Sequence, residues 1–362
     1  MRWLRALGLG VAAAVLGIAA WTLPTAGDVA GASHGAGTSH LTDTSRVTDT
    51  THVSIAWAGD IALLGSPPSS LFSGVARNLS SADVAIGNLE GTLSVGGTSK
   101  CGPNSTNCFA FQAPPASAAL FKAAGFDDLN VANNHAFDYG ADGQSQTLHA
   151  LASHHLRWSG RPGQIRLLSV NGISVAILGF APYPWAQSLT NIAAAKKLVE
   201  RADARADLVI CVLHAGAEGT DHQHVPQGTE YYLGENRGNS RLFTHSVIDA
   251  GADLVLASGP HVLRGMQLYH GKVIAYSLGN FATSNGALST GGVLGQSGIF
   301  RITLRKNGTA TYGKFLPVQL ENGAPRIVFG AIDIVSRVNS LSRSDFGSSA
   351  LLVSSRDALL LH

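Results

Sequence analysis

Five short apolar runs constrain this chain more than any other feature, because each ends in a side chain that can bind a metal or move a proton. They read VSIAWAGD, ending at Asp60; DVAIGNLE, ending at Glu90; LNVANNH, ending at His135; LVICVLH, ending at His214; and LVLASGPH, ending at His261. Short uninterrupted runs of Val, Ile, Leu and Ala predict strands buried on both faces, here over Val53–Ala58, Val84–Ile86, Leu129–Ala132, Leu208–Leu213 and Leu254–Ala257. Helix-like segments lie between them, at Pro115–Ala124, Ala141–Leu156, Ile192–Ala204 and Ser240–Ala250. The first opens on proline and stops at Gly125, and the last stops before Gly251, the residues expected at a helix start and just past a helix end. This alternation predicts an α/β fold with parallel strand pairs.

In open α/β sheets the ligand site lies beyond the carboxyl ends of the strands. Five polar run-ends therefore converge on one cleft, and carboxylate, amide oxygen and imidazole together suit one or two divalent ions such as Mn, Fe or Zn. The alternative for single residues is turn chemistry. Gly59-Asp60 is turn-prone, and asparagine tolerates left-handed dihedrals, so one of Asn133 and Asn134 serves a turn and Asn134 is taken as the ligand. His214 is a ligand or a satisfied core histidine, and the following Ala-Gly-Ala points to an open cleft.

The second half also carries antiparallel signals. Asn171-Gly172 separates LLSV from ISVAILGF, and Asn307-Gly308 separates FRITLRK from TATYGKFLPV, so hairpins and a mixed sheet are expected. Leu320 to His362 is less regular and reads as a C-terminal extension to a domain over 53–319. Of the 362 residues, 45% are hydrophobic and 13% charged, which excludes a disordered chain. The net charge is +2, and no basic stretch is interleaved with aromatics, so nucleic acid is not an expected partner.

The first residues read as a targeting segment. Arg2 and Arg5 precede the 17-residue apolar run Leu7–Leu23, and Ala30-Gly31-Ala32 offers small residues for cleavage. Residues 1–32 are thus a cleaved signal or an uncleaved membrane anchor, and 33–52 a flexible linker in which His34, His40 and His52 are solvated. The domain is expected outside the cytoplasm. Cys101 and Cys108 flank the short loop CGPNSTNC and are expected to form a disulfide, while Cys211, inside LVICVLH, is expected to be a small buried residue.

Seven segments then give a resemblance. GDIALLG at 59–65, GNLEGTL at 87–93, FQAPP at 111–115, NVANNHAFDYG at 130–140, LHAGAE at 213–218, GPHVLRG at 259–265 and YSLGNF at 276–281 resemble the ordered motifs of the CapA (poly-γ-glutamate capsule biosynthesis) family, within the calcineurin-like metallophosphoesterases. The resemblance implies a four-layer α/β/β/α sandwich with mixed sheets. It implies metal ligands at Asp60, Glu90, Asn134, His214 and His261, with His135 acting on the reacting group. Two places depart from the superfamily pattern: Ala62 stands where a histidine is expected, and Ser258-Gly259 lacks the first histidine of a Gly-His-x-His signature. Both place a complete two-metal site in question.

Around this set, Asn88 neighbours Glu90 and Glu218 stands four residues after His214, where it helps complete the shell. His222 and His224 in TDHQHVP border the substrate or serve the loop surface, and Arg264 contacts an anionic substrate or makes a surface ion pair. The implied function is metal-centred hydrolysis acting on an anionic cell-envelope polymer such as poly-γ-glutamate. The implied alternatives are a non-catalytic polymer-binding factor beside a membrane synthase, and a phosphoesterase.

Overall fold

The computed structural model describes residues 51–361 apart from 103 and 104, so the apolar segment 1–32 and nearly all of the linker lie outside the described residues. Two mixed sheets face each other. The first has the order Ala324–Ile327, Ala310–Glu321, Gln296–Arg305, His52–Ala62, Val84–Leu89, Asp128–Asn130, Arg157–Ser159, with Asn280–Thr283 added in parallel to the end of His52–Ala62. The second has the order Met266–Tyr269, Lys272–Ala275, Leu254–Ser258, Leu208–His214, Ile173–Phe180, Arg166–Val170.

The apolar runs explain this layering. Alternate residues of each strand point to opposite faces, so strands apolar throughout need cover on both sides. Val53, Ile55 and Trp57 of the first sheet meet Ile177, Ile210 and Val212 of the second in the central core. Ala56, Ala58 and Ala85 point the other way, onto Phe121 and Leu151 of the helices Ala118–Ala124 and Gly140–Ser153. On the outer face of the second sheet, Val209, Cys211 and Val255 pack on Leu198 of Ile192–Asp203 and Phe243 of Ser240–Ile248. The result is four layers, helix–sheet–sheet–helix.

Local chemistry sets the ends. Asn191 and Asn239 cap their helices by accepting from the N–H groups of Ala194 and Leu242. Gly125 adopts φ of 92° to terminate Ala118–Ala124, and Asn171-Gly172, both at positive φ, turns the hairpin between Arg166–Val170 and Ile173–Phe180. The Cys101–Cys108 disulfide closes its loop, and Cys211 is buried and free. Among the described residues no helix is long and apolar enough to cross a membrane.

The domain boundary at 319 is corrected. Ala310–Glu321 crosses it as one continuous strand, and Ile334, Val338, Leu351, Val353 and Leu359 join the central core, so 320–361 completes the sandwich instead of extending it. The sequence looks irregular there because Ile332–Phe346 lies across the edge of the core and alternates buried with exposed positions.

Asp128 is an unusual core residue. It is fully buried, its Oδ1 accepts from Ser159, and its Oδ2 has no partner. Burial raises its pKa to about 6, against the lowering pull of the Ser159 bond. The folded state therefore holds this proton more tightly than the unfolded chain, whose value is about 4. Stability from this group is present below pH ~4 and is lost as pH rises through the folded value. Asp128→Asn is expected to stabilise the protein at pH 7 by on the order of 2 kcal/mol. The gain should vanish near pH 4 in paired thermal melts.

Candidate metal centre

The carboxyl ends of the parallel strands from both sheets meet at one edge of the sandwich, and the five polar run-ends arrive there together. Asp60 sits where His52–Ala62 shifts register against its neighbours. Gly59 permits this, since a Cβ there would collide with the Gly279 carbonyl oxygen, the acceptor for the Asp60 N–H at 3.0 Å. Glu90 follows Val84–Leu89, His214 ends Leu208–His214, and His261 follows Leu254–Ser258 at φ of 60°, a left-handed conformation unusual for a non-glycine residue.

These side chains surround one point. Asp60, Glu90 and His214 are each 0% exposed and can bring ligand atoms within 4.8 Å of one another. His214 Nε2 and His261 Nε2 face Glu90 Oε1 at 3.7 and 3.5 Å, and His261 Nε2 also faces Glu218 Oε2 at 3.6 Å. The backing shell is fully engaged. Asn88 Nδ2 donates to Asp60 Oδ1 at 2.7 Å, the Gly259 N–H donates to Asp60 Oδ2 at 3.1 Å, and His261 Nδ1 meets Asn280 Oδ1 at 2.8 Å. Asn130 and Asn133 both donate to Asn88 Oδ1, so the orientation of Asn88 is fixed.

The inward-facing atoms are not engaged. Both Glu90 oxygens, His214 Nε2 and Asn134 Oδ1 are buried without a hydrogen-bond partner. Orphaned buried groups of this kind are rare and costly. The electrostatics agree. Burial opposes charge on His261, yet Glu90, Asp60 and Glu218 outweigh it and push its pKa up to about 10. Burial, assisted by Asp60 and Glu218, drives Glu90 well above the carboxylate range. A concentration of buried acids that captures protons this strongly is a site for a cation, and its donor set of carboxylate, imidazole and amide oxygen fits a divalent transition ion.

Beside this group stands His135, 8% exposed, with Nε2 4.0 Å from Glu90 Oε1. Its Nδ1–H donates to Asp138 Oδ2 at 2.8 Å, and its ring stacks on Phe111 with centroids 4.1 Å apart. Asp138 is held in turn by the Phe111 N–H at 2.6 Å and by Lys100 Nζ at 2.6 Å. Burial lowers the pKa of His135, against the raising effect of Asp138.

A model of the family described as bacterial capsule synthesis protein PGA_cap matches residues 26–285, most of the chain. The chain belongs to this family. It is 31% identical over 232 residues to the capsule biosynthesis protein CapA of Bacillus anthracis, covering 59% of this chain and 52% of that one. It is 30% identical over 230 residues to the PGA biosynthesis protein CapA of Bacillus subtilis (strain 168), covering 58% and 55%. The chain thus spans about half the length of these curated relatives. Similar solved structures include the NAD nucleotidase of Haemophilus influenzae, with 14% identity, TM-score 0.40 and coverage of 82% of this chain and 57% of that one. Another is a 5'-nucleotidase precursor from Thermus thermophilus, with 12% identity, TM-score 0.42 and coverage of 80% and 58%. The four layers described above form an α/β/β/α sandwich.

In this PGA_cap domain the two adjacent asparagines divide their work. Asn133 is fully buried and donates to the Leu89 carbonyl, while its Oδ1 accepts from the His135 N–H. It fixes the loop, whereas Asn134 keeps its free Oδ1 and reaches Glu218 with Nδ2 at 3.4 Å.

One expectation needs correction. Arg264 is neither at the substrate nor on the surface; its buried guanidinium pairs with both Glu230 oxygens and donates to the carbonyls of His222 and Ala217. It braces the loop that carries Glu218. Of the two alternatives for His224, the structure shows the loop surface, where its exposed ring meets Asp345 at 2.7 Å. His222 stands at the margin, its ring 6.4 Å from that of Tyr232. Gly259 has no room for the missing histidine, since a Cβ would lie 2.8 Å from the Ala215 nitrogen.

Sequence reasoning missed Asp138, Asn280 and Arg237. Asp138 had a signal, since it stands three residues after His135 in NVANNHAFDYG, and Asn280 lies in the quoted motif YSLGNF. Arg237, 2% exposed and paired with Glu218 and Glu235, had none.

Proposed function

We propose that the domain carries out a divalent-metal-dependent hydrolytic step on an anionic cell-envelope polymer such as poly-γ-glutamate, or on its precursor, during capsule assembly. The observation that carries this reading is the buried Asp60–Glu90–His214 group whose inward oxygen and nitrogen atoms have no protein partner. Asp60, Glu90, Asn134, His214 and His261 would hold one or two ions (Mn, Fe or Zn), with Glu218 at the rim. A bound ion supplies a Lewis acid and makes water nucleophilic near neutral pH. The chain's own residues do the rest. Asn88 and Gly259 aim the Asp60 carboxylate. Asp138 fixes the proton on His135 Nδ1, so that Nε2 faces the reacting group and exchanges a proton with it.

The names of the relatives support the capsule setting, and the N-terminal apolar segment supports a secreted or membrane-anchored location outside the cytoplasm, where a membrane synthase is the natural partner. A second reading, a polymer-binding assembly factor without turnover, is favoured by Gly259, where one expected ligand has no space. Elemental analysis of purified protein, with a turnover screen over phosphate esters and γ-glutamyl polymers, separates the two. The expected result is at least one equivalent of a divalent transition ion and metal-dependent cleavage. Metal-free, inactive protein that still binds polymer would leave only the second reading.

A further inference from the structure

The space on the outer side of His135 has a chemistry of its own. His135 and Asn134 form the floor of a cleft of about 360 Å³ whose walls are Trp185, Tyr183, Tyr232, Phe109 and Leu233. Trp185 is locked in place by stacking between Phe137 and Tyr183, both at 5.2 Å between centroids, and by donating its indole N–H to the Asn133 carbonyl at 2.9 Å. The wall is therefore fixed to the loop that carries Asn134 and His135.

The mouth is apolar as well. Phe109, the residue after Cys108 of the disulfide, is 64% exposed, and Leu233, at the tip of the hairpin formed by Glu230–Tyr232 and Glu235–Gly238, is 80% exposed. Leu233 also adopts φ of 49°, a left-handed turn position that disfavours leucine and suits glycine, asparagine or aspartate. A bulky apolar residue at an exposed, strained tip has no folding rationale and points to a ligand.

Charge narrows the ligand further. Two cations border the cleft, and both are committed: Lys100 to Asp138, and Arg237 to Glu218 and Glu235. Glu218 and Glu235 also line it. Among the described residues, a negative group entering here would meet carboxylates and no free cation, whereas an uncharged ring or alkyl group would meet aromatic walls.

We infer that this cleft is the leaving-group subsite, and that it selects an uncharged ring-bearing or aliphatic group over an acidic one. The inference rests on the hydrolytic reading and narrows it to an ester of an uncharged alcohol, such as a polymer precursor, and away from the internal amide bonds of poly-γ-glutamate, whose leaving amine carries a carboxylate. The bond cut joins the anionic part, held at the metal centre, to an uncharged part lying against Trp185 and Leu233. Water adds its hydroxyl to the anionic part and gives up its remaining proton to solvent, the bond to the leaving oxygen breaks with its electron pair, and His135 Nε2 delivers the proton that oxygen needs.

Phenyl phosphate, 4-carboxyphenyl phosphate and inorganic phosphate test this, with binding by calorimetry and turnover measured on the same full-length, metal-loaded protein. Phenyl phosphate should bind more tightly than its carboxylated analogue. Leu233→Asn, which suits the left-handed turn without adding charge, and Phe109→Ser should each weaken phenyl phosphate by roughly three- to tenfold while leaving inorganic phosphate unchanged. The binding preference without turnover would sustain a ligand cleft of this selectivity and overturn its role as a leaving-group subsite. Turnover with equal or better use of the carboxylated ester would overturn the subsite and sustain that reading. Failure of both esters to bind more tightly than phosphate would also overturn the subsite.

Discussion

Chelating the divalent ion is expected to lower the melting temperature of the parent protein by about 10 °C, and His214→Ala should erase that difference. An ion present at about a thousand times its Kd stabilises by roughly 4 kcal/mol, and each kcal/mol is worth about 2–4 °C in a domain of this size. The effect should be large because the ion relieves several costs together: both Glu90 oxygens and His214 Nε2 are buried without partners. Losing a ligand should weaken binding beyond the roughly 10–100-fold typical of outer-shell partners. Glu90→Gln should behave likewise, and it controls for the packing lost with the imidazole. Protons compete with the ion, since His261 in the ion-free site holds its proton up to about pH 10. Affinity should therefore rise with pH across the neutral range, by up to about tenfold per unit for this group. Calorimetric melts with and without chelator, and metal stoichiometry on the same samples, check all of this; a variant that keeps both its ion and its chelator-sensitive melting would remove His214 from the centre.

His135→Ala should fail differently. It should keep its ion but slow turnover by about 10²–10⁴-fold, the usual loss for a missing acid or base. The loss should depend on the leaving group. An alkoxide needs a proton to depart and should show the full effect; a nitrophenolate departs without one and should show little. Burial lowers the pKa of His135, so its protonated form exists mainly below the ordinary histidine range. Turnover of poor leaving groups should thus fall as pH rises through that lowered value, and the falling limb should be missing in His135→Ala. Asp138→Asn should act through His135 by unfixing its tautomer, with a smaller loss and a displaced pH profile. Equal losses for good and poor leaving groups would exclude the proton-transfer role.

The layered fold was legible because burial on both faces writes itself into composition. Val53–Ala58 and Leu208–Leu213 are apolar at nearly every position, which in a water-soluble domain requires cover on both sides. The converging ends of five such runs made the centre legible too. Arg237 and the aromatic walls were not. Tyr183, Trp185 and Arg237 lie in loops and a short hairpin with no periodicity, and they meet because the strands leading into them, Ile173–Phe180 and Leu208–His214, are parallel neighbours in the second sheet. Arg264 looked like a substrate contact because the fragment GPHVLRG does not reveal Glu230, 34 positions earlier, waiting to pair with it. The tail beyond 319 looked detachable because its buried residues, from Leu320 to Leu359, are scattered over the end of one strand, a helix buried on one side and two strands of two residues each.

The candidate ligands run from Asp60 to His261 and come from strands in both sheets. No fragment made by a growing or threading chain contains the full set until Leu254–Ser258 and the His261 that follows it are in place. Contacts this distant in sequence form late in folding. Ion capture is thus tied to completion of the sandwich, and a chain crossing a membrane unfolded would carry no cargo of metal with it. Since transition-ion affinities follow a common order, occupancy in a living cell depends heavily on which ions are available. The surroundings in which the last strand docks, more than any single side chain, would then decide which element the protein holds.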